Sequence, residues 1–210
     1  MRAITRNTAA SGFCLLLAVV VLLGTACFSG IPDDGEVEMK YTQHEEQVFG
    51  LTFEYPEDWS LARWDLVSPV YAGGKNIYAE HCSPDLKEPL MCVTLALRIV
   101  PATEEGGTLG TVDEYVSYTI LHRIIGTPDI KSDRVITVAG HQGREITISS
   151  RVLLPPWTVD PDLVTYIQTW AVFKRDGYLY DLRFTASEAD YDDFLETVYE
   201  HAKQTLTFSS

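Results

Sequence analysis

The segment "VTYIQTWAVFKRDGYLYDLRFTAS", residues 164–187, constrains the fold more than any other part of this chain. Val164–Phe173 and Tyr178–Thr185 are rich in β-branched and aromatic residues, and "KRDG", Lys174–Gly177, separates them. Asp176-Gly177 supplies the two positive-φ positions that a tight hairpin turn requires, so the two runs are expected to pair antiparallel. The pattern repeats upstream, where Val135–Ala139 and Glu145–Val152 flank "GHQG", Gly140–Gly143, with His141 inside the turn. Two consecutive hairpins commit the second half of the chain to an antiparallel sheet.

The first half adds strands and a helix. In "FGLTFEYPEDW", Phe49–Trp59, an alternating run with Leu51 and Phe53 is stopped by Pro56, which has no N–H to continue a ladder. Strands are expected at Ser60–Asp65, at Asn76–Cys82 after the Gly73-Gly74 loop, and at Leu90–Val100. Thr111 and Glu114 have the spacing of a capping box, each able to bond the other's backbone N–H. A helix therefore starts there, with Val112, Tyr115, Val116 and Thr119 in one stripe, and ends at Gly126 and Pro128. Ser187 and Asp190 repeat the capping-box spacing before a second helix, in which Tyr191, Phe194, Leu195, Val198, Tyr199 and Ala202 form the apolar face. The acids Asp192, Asp193, Glu196 and Glu200 fall on its outer face as solvated surface. A last strand, Thr205–Phe208, is expected to close the sheet. Strands and helices in this order give an α+β domain with a mainly antiparallel sheet.

Before the domain, Phe13–Leu23 is an uninterrupted apolar run of the length of a signal-peptide core, behind Arg2 and Arg6. It is too short for the roughly 20 helical residues that cross a bilayer. "LLGTAC", Leu22–Cys27, resembles the bacterial lipobox, with Gly24 where leucine is usual. The expectation is a signal over residues 1–26, cleaved before Cys27, whose thiol carries the lipid and anchors the protein to a bacterial membrane outside the cytoplasm. An ordinary secretory signal cut near Ala26 and an uncleaved anchor are the competing readings. Residues 27–46 are acidic and polar and read as a tether, with the domain over 47–210. Of the four cysteines, Cys14 lies in the signal, which leaves Cys82 and Cys92. In an oxidising compartment these two are expected to form a disulfide, stapling the Asn76–Cys82 and Leu90–Val100 strands as a hairpin. A thiol or metal site using His81 is the alternative, but their spacing is not that of a zinc knuckle and no second Cys or His pair is near.

Three stretches then resemble the PsbP/Mog superfamily: "GLTFEYPEDW" at Gly50–Trp59, "VAGHQGREITI" at Val138–Ile148, and "DGYLYDLRFTASEADYDDFLETVYEHAKQTLTF" at Asp176–Phe208. The resemblance spans about Gln47–Ser210 and implies an α/β/α sandwich around a central antiparallel sheet. It makes Tyr55, Pro56 and Trp59 corner packing where the first strand leaves the sheet. Relatives of that kind include extrinsic photosystem II subunits, a Ran-binding nuclear factor and bacterial lipoproteins, and they share action as accessory or adaptor modules.

No nucleophile elbow, phosphate-binding Gly-Lys-Ser loop, His-Glu-x-x-His helix or dinucleotide fingerprint occurs in the chain, so no catalysis and no cofactor are expected. A net charge of −14 repels nucleic acid and anionic lipid headgroups. His44, His81, His122, His141 and His201 lack ligand spacing, so no metal is expected. The remaining expectation is a lipid-anchored, non-catalytic binding or adaptor module with a protein partner. Trp157, held between prolines and acids in "LLPPWTVDPD", is its candidate contact. Capture of a small ligand or metal ion is the alternative, with Tyr71, Gly73-Gly74 and Trp157 as a candidate pocket lining.

Overall fold

Seven strands form one antiparallel sheet in the order β3-β4-β5-β9-β8-β7-β6. In chain order they are β3 (Ser60–Asp65), β4 (Lys75–His81), β5 (Val93–Pro101), β6 (Asp129–Val138), β7 (His141–Leu154), β8 (Asp162–Arg175) and β9 (Tyr178–Ser187). The computed structural model describes residues 39–66, 73–102, 109–123, 127–154, 160 and 162–209. A second sheet pairs β1 (Tyr41–Glu46), β2 (Leu51–Pro56) and β10 (Thr207–Phe208), with β2 in the middle. Helix α1 is Val112–Arg123, and helix α2 runs over 191–205, with a π turn at Leu195–Glu200 between two α segments.

The hairpins form where the turn residues dictate. Asp176 and Gly177 both have positive φ, 48° and 77°, joining β8 to β9. The upstream turn is shifted from the expected "GHQG": the positive-φ pair is Ala139-Gly140, and His141–Gly143 already belong to β7. Gly143 serves packing rather than turning. A Cβ there would lie 2.4 Å from the Val172 carbonyl oxygen of β8, closer than a side chain tolerates.

Alternation along the strands builds two cores. Leu95, Leu97 and Ile99 of β5, Ala171 and Phe173 of β8, and Tyr180, Leu182 and Phe184 of β9 point to one face. Tyr191, Val198, Tyr199 and Ala202 of α2 cover them, together with Leu51 and Phe53 of the small sheet. On the opposite face, Tyr115 and Val116 of α1 pack on Val100, Ile146, Ile148, Trp170, Val172 and Leu179. Helix, sheet and helix thus form the expected layers. The corner role of the opening motif holds as well: Trp59 is buried, its ring 5.9 Å from His81 and 6.2 Å from Phe194, and its N–H closes the turn onto the Pro56 carbonyl at 3.1 Å.

Three expectations need correction. The stretch expected to be tether as far as residue 46 ends in a strand, Tyr41–Glu46, which pairs with β2 from Tyr41↔Pro56 to Glu46↔Leu51 and buries His44 and Glu46. Its acidic composition hid a strand whose ladder bonds come from the backbone. The last strand pairs with β2 through Thr207↔Thr52, so it completes the small sheet instead of closing the large one. Thr111 and Glu114 do cap α1 reciprocally, at 2.9 and 3.2 Å, but Ser187 and Asp190 are not a capping box. The Ser187 hydroxyl accepts the Asp190 N–H at 3.1 Å, while the Asp190 carboxylate accepts the backbone N–H groups of Lys87 and Glu88 at 2.8 and 3.0 Å and the Ser187 hydroxyl at 2.6 Å. It ties the β4–β5 connection to the start of α2.

Candidate functional site

A seven-stranded sheet is about 30 Å across and a helix about 10 Å, so α1 alone cannot cover its face. α1 lies over the β7, β8 and β9 side chains, and among the described residues no other helix covers the rest of that face. Cross-strand register places Asn76 (β4), Arg98 (β5) and Asp181 (β9) in one row, then Tyr78, Ala96, Arg183 and Trp170 in the next, then Glu80, Thr94, Thr185 and Gln168. Small Ala96 and Thr94 sit between longer neighbours, which leaves a hollow. The result is a groove of about 620 Å³, walled by Trp64, Tyr78, Leu90, Met91, Val152, Leu154 and Tyr166 around Arg98, Gln168, Arg183 and Thr185. That volume lies in the range of small-molecule sites, and its mixture of apolar wall and few convergent polar groups is their usual chemistry.

Beside and beneath the groove is a charged cluster. Arg183 Nη2 donates to Asp181 Oδ2 at 2.6 Å, and the Tyr115 hydroxyl, reaching down from α1, donates to the same oxygen at 2.8 Å. The Arg183 guanidinium also stacks over the Trp170 ring, 4.5 Å from its centroid. Burial pulls the Arg183 pKa down, but the charge of Asp181, the neighbouring Tyr115 and the hydrogen bond to Asp181 together outweigh it and the net direction is upward. Burial and then the Asp181 charge push the Tyr115 phenol far above its ordinary value. Arg183 is thus a permanent cation and Tyr115 a permanent donor, both committed to Asp181. Arg98 stands directly across from Asp181 in register, yet its Nε and Nη1 are shut off from solvent without a hydrogen-bond partner, as is Asp181 Oδ1.

The structure brings Cys82 and Cys92 together as a disulfide linking the end of β4 to the start of β5, with Cα atoms 4.5 Å apart. Cys92 lies at the groove edge. Glu80 and the two cysteine sulfurs are the one cluster with metal-ligand proximity among the described residues, but sulfurs bonded to each other are not thiolate ligands. The described histidine rings are each engaged separately. His44 packs on Phe53, His81 on Trp59, and His141 on Phe173, while His201 stacks on Tyr41 and bonds Glu54 at 2.8 Å. Cys27, Tyr71, Trp157 and the side chain of His122 lie outside the described residues, and the Gly73-Gly74 loop does not line the groove. Among the described residues no helix is long and apolar enough to cross a membrane.

No protein-family model matches the chain, and no curated protein matches it. Among solved structures, cyanobacterial PsbP (CyanoP) from Synechocystis sp. PCC 6803 superposes with a TM-score of 0.51 at 15% identity, over 83% of this chain and 96% of that one. The fold is PsbP-like. LpqN of Mycobacterium tuberculosis, described as involved in cell envelope biogenesis, matches at 13% identity and TM-score 0.47, over 82% of this chain and 92% of its own. A Bacteroides thetaiotaomicron protein matches at 10% identity and TM-score 0.47, over 82% of this chain and 50% of that chain. At these identities the likeness is one of fold.

Within this PsbP-like fold the sequence reading missed Arg98, Asp181 and Arg183. A signal for them was present in "DGYLYDLRFTAS", where Asp181, Arg183 and Thr185 alternate with Tyr180, Leu182 and Phe184. In a central strand, three polar residues in succession on one face mark a face not given to packing.

Proposed function

We propose that this chain is a non-catalytic binding module, held outside the cytoplasm at a bacterial membrane by lipid on Cys27, and that it binds through the open half of its sheet face. The observation that carries this reading is the groove itself: about 620 Å³ of concave, aromatic-walled surface left uncovered by α1. The Cys82–Cys92 disulfide suits an oxidising compartment, and the lipobox-like "LLGTAC" supplies the anchor. The groove's polar groups are of the kind that hold and orient: arginine, threonine, glutamine and tyrosine. In this role the protein is accessory to a membrane complex or envelope process.

A crosslinked pull-down of the full-length, lipid-modified protein from its native membranes tests this, with Cys27→Ala as the unanchored control and Ala96→Trp as the blocked groove. Stoichiometric recovery of one complex, lost in both variants, is the expected outcome. A complex retained by Ala96→Trp refutes binding through the groove, and one retained by Cys27→Ala refutes the anchor.

Capture of a small ligand is the second reading, favoured by the groove's volume and by Arg98, which lines it and has guanidinium nitrogens without a partner. Saturable binding of a small molecule to the purified domain, without any membrane partner, would select it.

A further inference from the structure

We propose that the groove binds a small monocarboxylate with an apolar body, its carboxylate seated on Arg98. This deepens the preceding reading and rests on the groove being the binding surface. Two guanidinium groups and one carboxylate occupy the floor beside α1. Asp181 is engaged by Arg183 and Tyr115 through one oxygen, so Arg183 has its counter-charge. Arg98 does not: two of its three guanidinium nitrogens are enclosed and without an acceptor. A buried donor left unsatisfied is costly, and one on a cation more so. Arg98 lines the groove, so a turn of its guanidinium toward the opening offers these donors to an anion, and satisfying them favours its capture.

The charge count selects the anion. One cation is uncompensated on this floor, which matches a carboxylate. A dianionic phosphate would bring a second, uncompensated negative charge onto this apolar-walled floor, within a protein of net charge −14. Glu80, the acid among the described residues that line the groove, stands four residues along the face from the Arg98 row, about 13 Å at the usual strand rise. It is opposite Thr94 at the disulfide end. The anionic group is thereby directed to the α1 end, and the body of the ligand lies over Ala96 against Trp64, Tyr78 and Tyr166.

The test is calorimetric titration of the disulfide-intact protein with decanoate and with 2-naphthoate, each beside its uncharged amide. Arg98→Met, Arg98→Lys and Ala96→Trp are the variants, each checked for folding by thermal melt. The expected result is saturable binding of at least one acid below about 1 mM, with the amide weaker by about tenfold or more, the value of a hydrogen bond to a charged group. Arg98→Met is expected to lose that preference, Arg98→Lys to regain part of it, and Ala96→Trp to bind neither compound. Equal binding of acid and amide, or a preference that survives Arg98→Met, overturns the assignment. So does failure of both acids to bind. In that last case, a membrane partner lost on Ala96→Trp leaves the groove as the binding surface and removes only its carboxylate ligand. If the partner is retained by that variant, both readings fall.

Discussion

Glu145 shows how one residue can carry much of the tertiary arrangement. It is 2% exposed on the face of β7 turned toward α2, where a carboxylate without partners would be expensive. Its Oε2 accepts the Tyr199 hydroxyl at 2.8 Å and Lys203 Nζ at 2.7 Å, and its Oε1 accepts Arg134 Nε at 2.7 Å. Burial raises its pKa, but the hydrogen bonds from Lys203, Arg134 and Tyr199 together outweigh that and hold it below the ordinary value. A carboxyl depressed on folding contributes stability above its unfolded pKa, about 4.3 for Glu, and loses it as pH falls through the folded value. Glu145→Gln is therefore expected to cost about 3 kcal/mol at pH 7. The gap between wild type and variant should narrow as the pH falls through and below 4. Urea unfolding at pH 7 and pH 3 measures both, and an equal gap at the two values would rule out the charge as the source. Nothing in "GREITI" distinguishes this glutamate from a solvated one, because its partners Arg134, Tyr199 and Lys203 stand on other elements.

At the scale of elements, signals carried by neighbouring residues were legible. The Asp176-Gly177 turn, the Thr111/Glu114 cap and the stop at Pro56 all lie where local chemistry puts them. Signals shared between distant segments were not. Asp190 has the spacing of a cap with Ser187, yet its carboxylate accepts from Lys87 and Glu88, about a hundred residues earlier in the chain. The β4–β5 connection is thus restrained twice, by Asp190 in its middle and by the Cys82–Cys92 bond at its ends. Asp190→Ala is expected to leave two backbone N–H groups without acceptors and to lose about 3 kcal/mol. With the disulfide intact, the Lys87 and Glu88 amides should exchange at least about tenfold faster in the variant while the β5 amides stay protected. Unchanged protection at those two amides would show that Asp190 does not hold the connection. The π turn at Leu195–Glu200 was equally invisible, since the apolar spacing of α2 fits an ordinary helix.

At the scale of the molecule, the two faces of one sheet have unequal cover, and the groove follows from that inequality. Among the described residues, α2 and the small sheet together close one face, whereas α1 has only the width of one helix for the other. Antiparallel layering could be read from the hairpins, but the fraction of a face left bare could not. That fraction depends on how many strands join the sheet and where α1 lands, which is tertiary information. Two alanines report on it independently of any ligand. Ala171 of β8 is fully buried beneath the α2 side, and Ala96 of β5 lies on the groove floor. Two added branches at Ala171 must displace close-packed neighbours, so Ala171→Leu is expected to cost about 2–3 kcal/mol. The same change at Ala96 extends into open volume beside Tyr78 and should cost under about 1 kcal/mol, because no packed neighbour has to move. Paired urea melts decide the point. Equal losses at the two positions would mean that this face is as closely packed as the other, and then no groove exists for a ligand to enter.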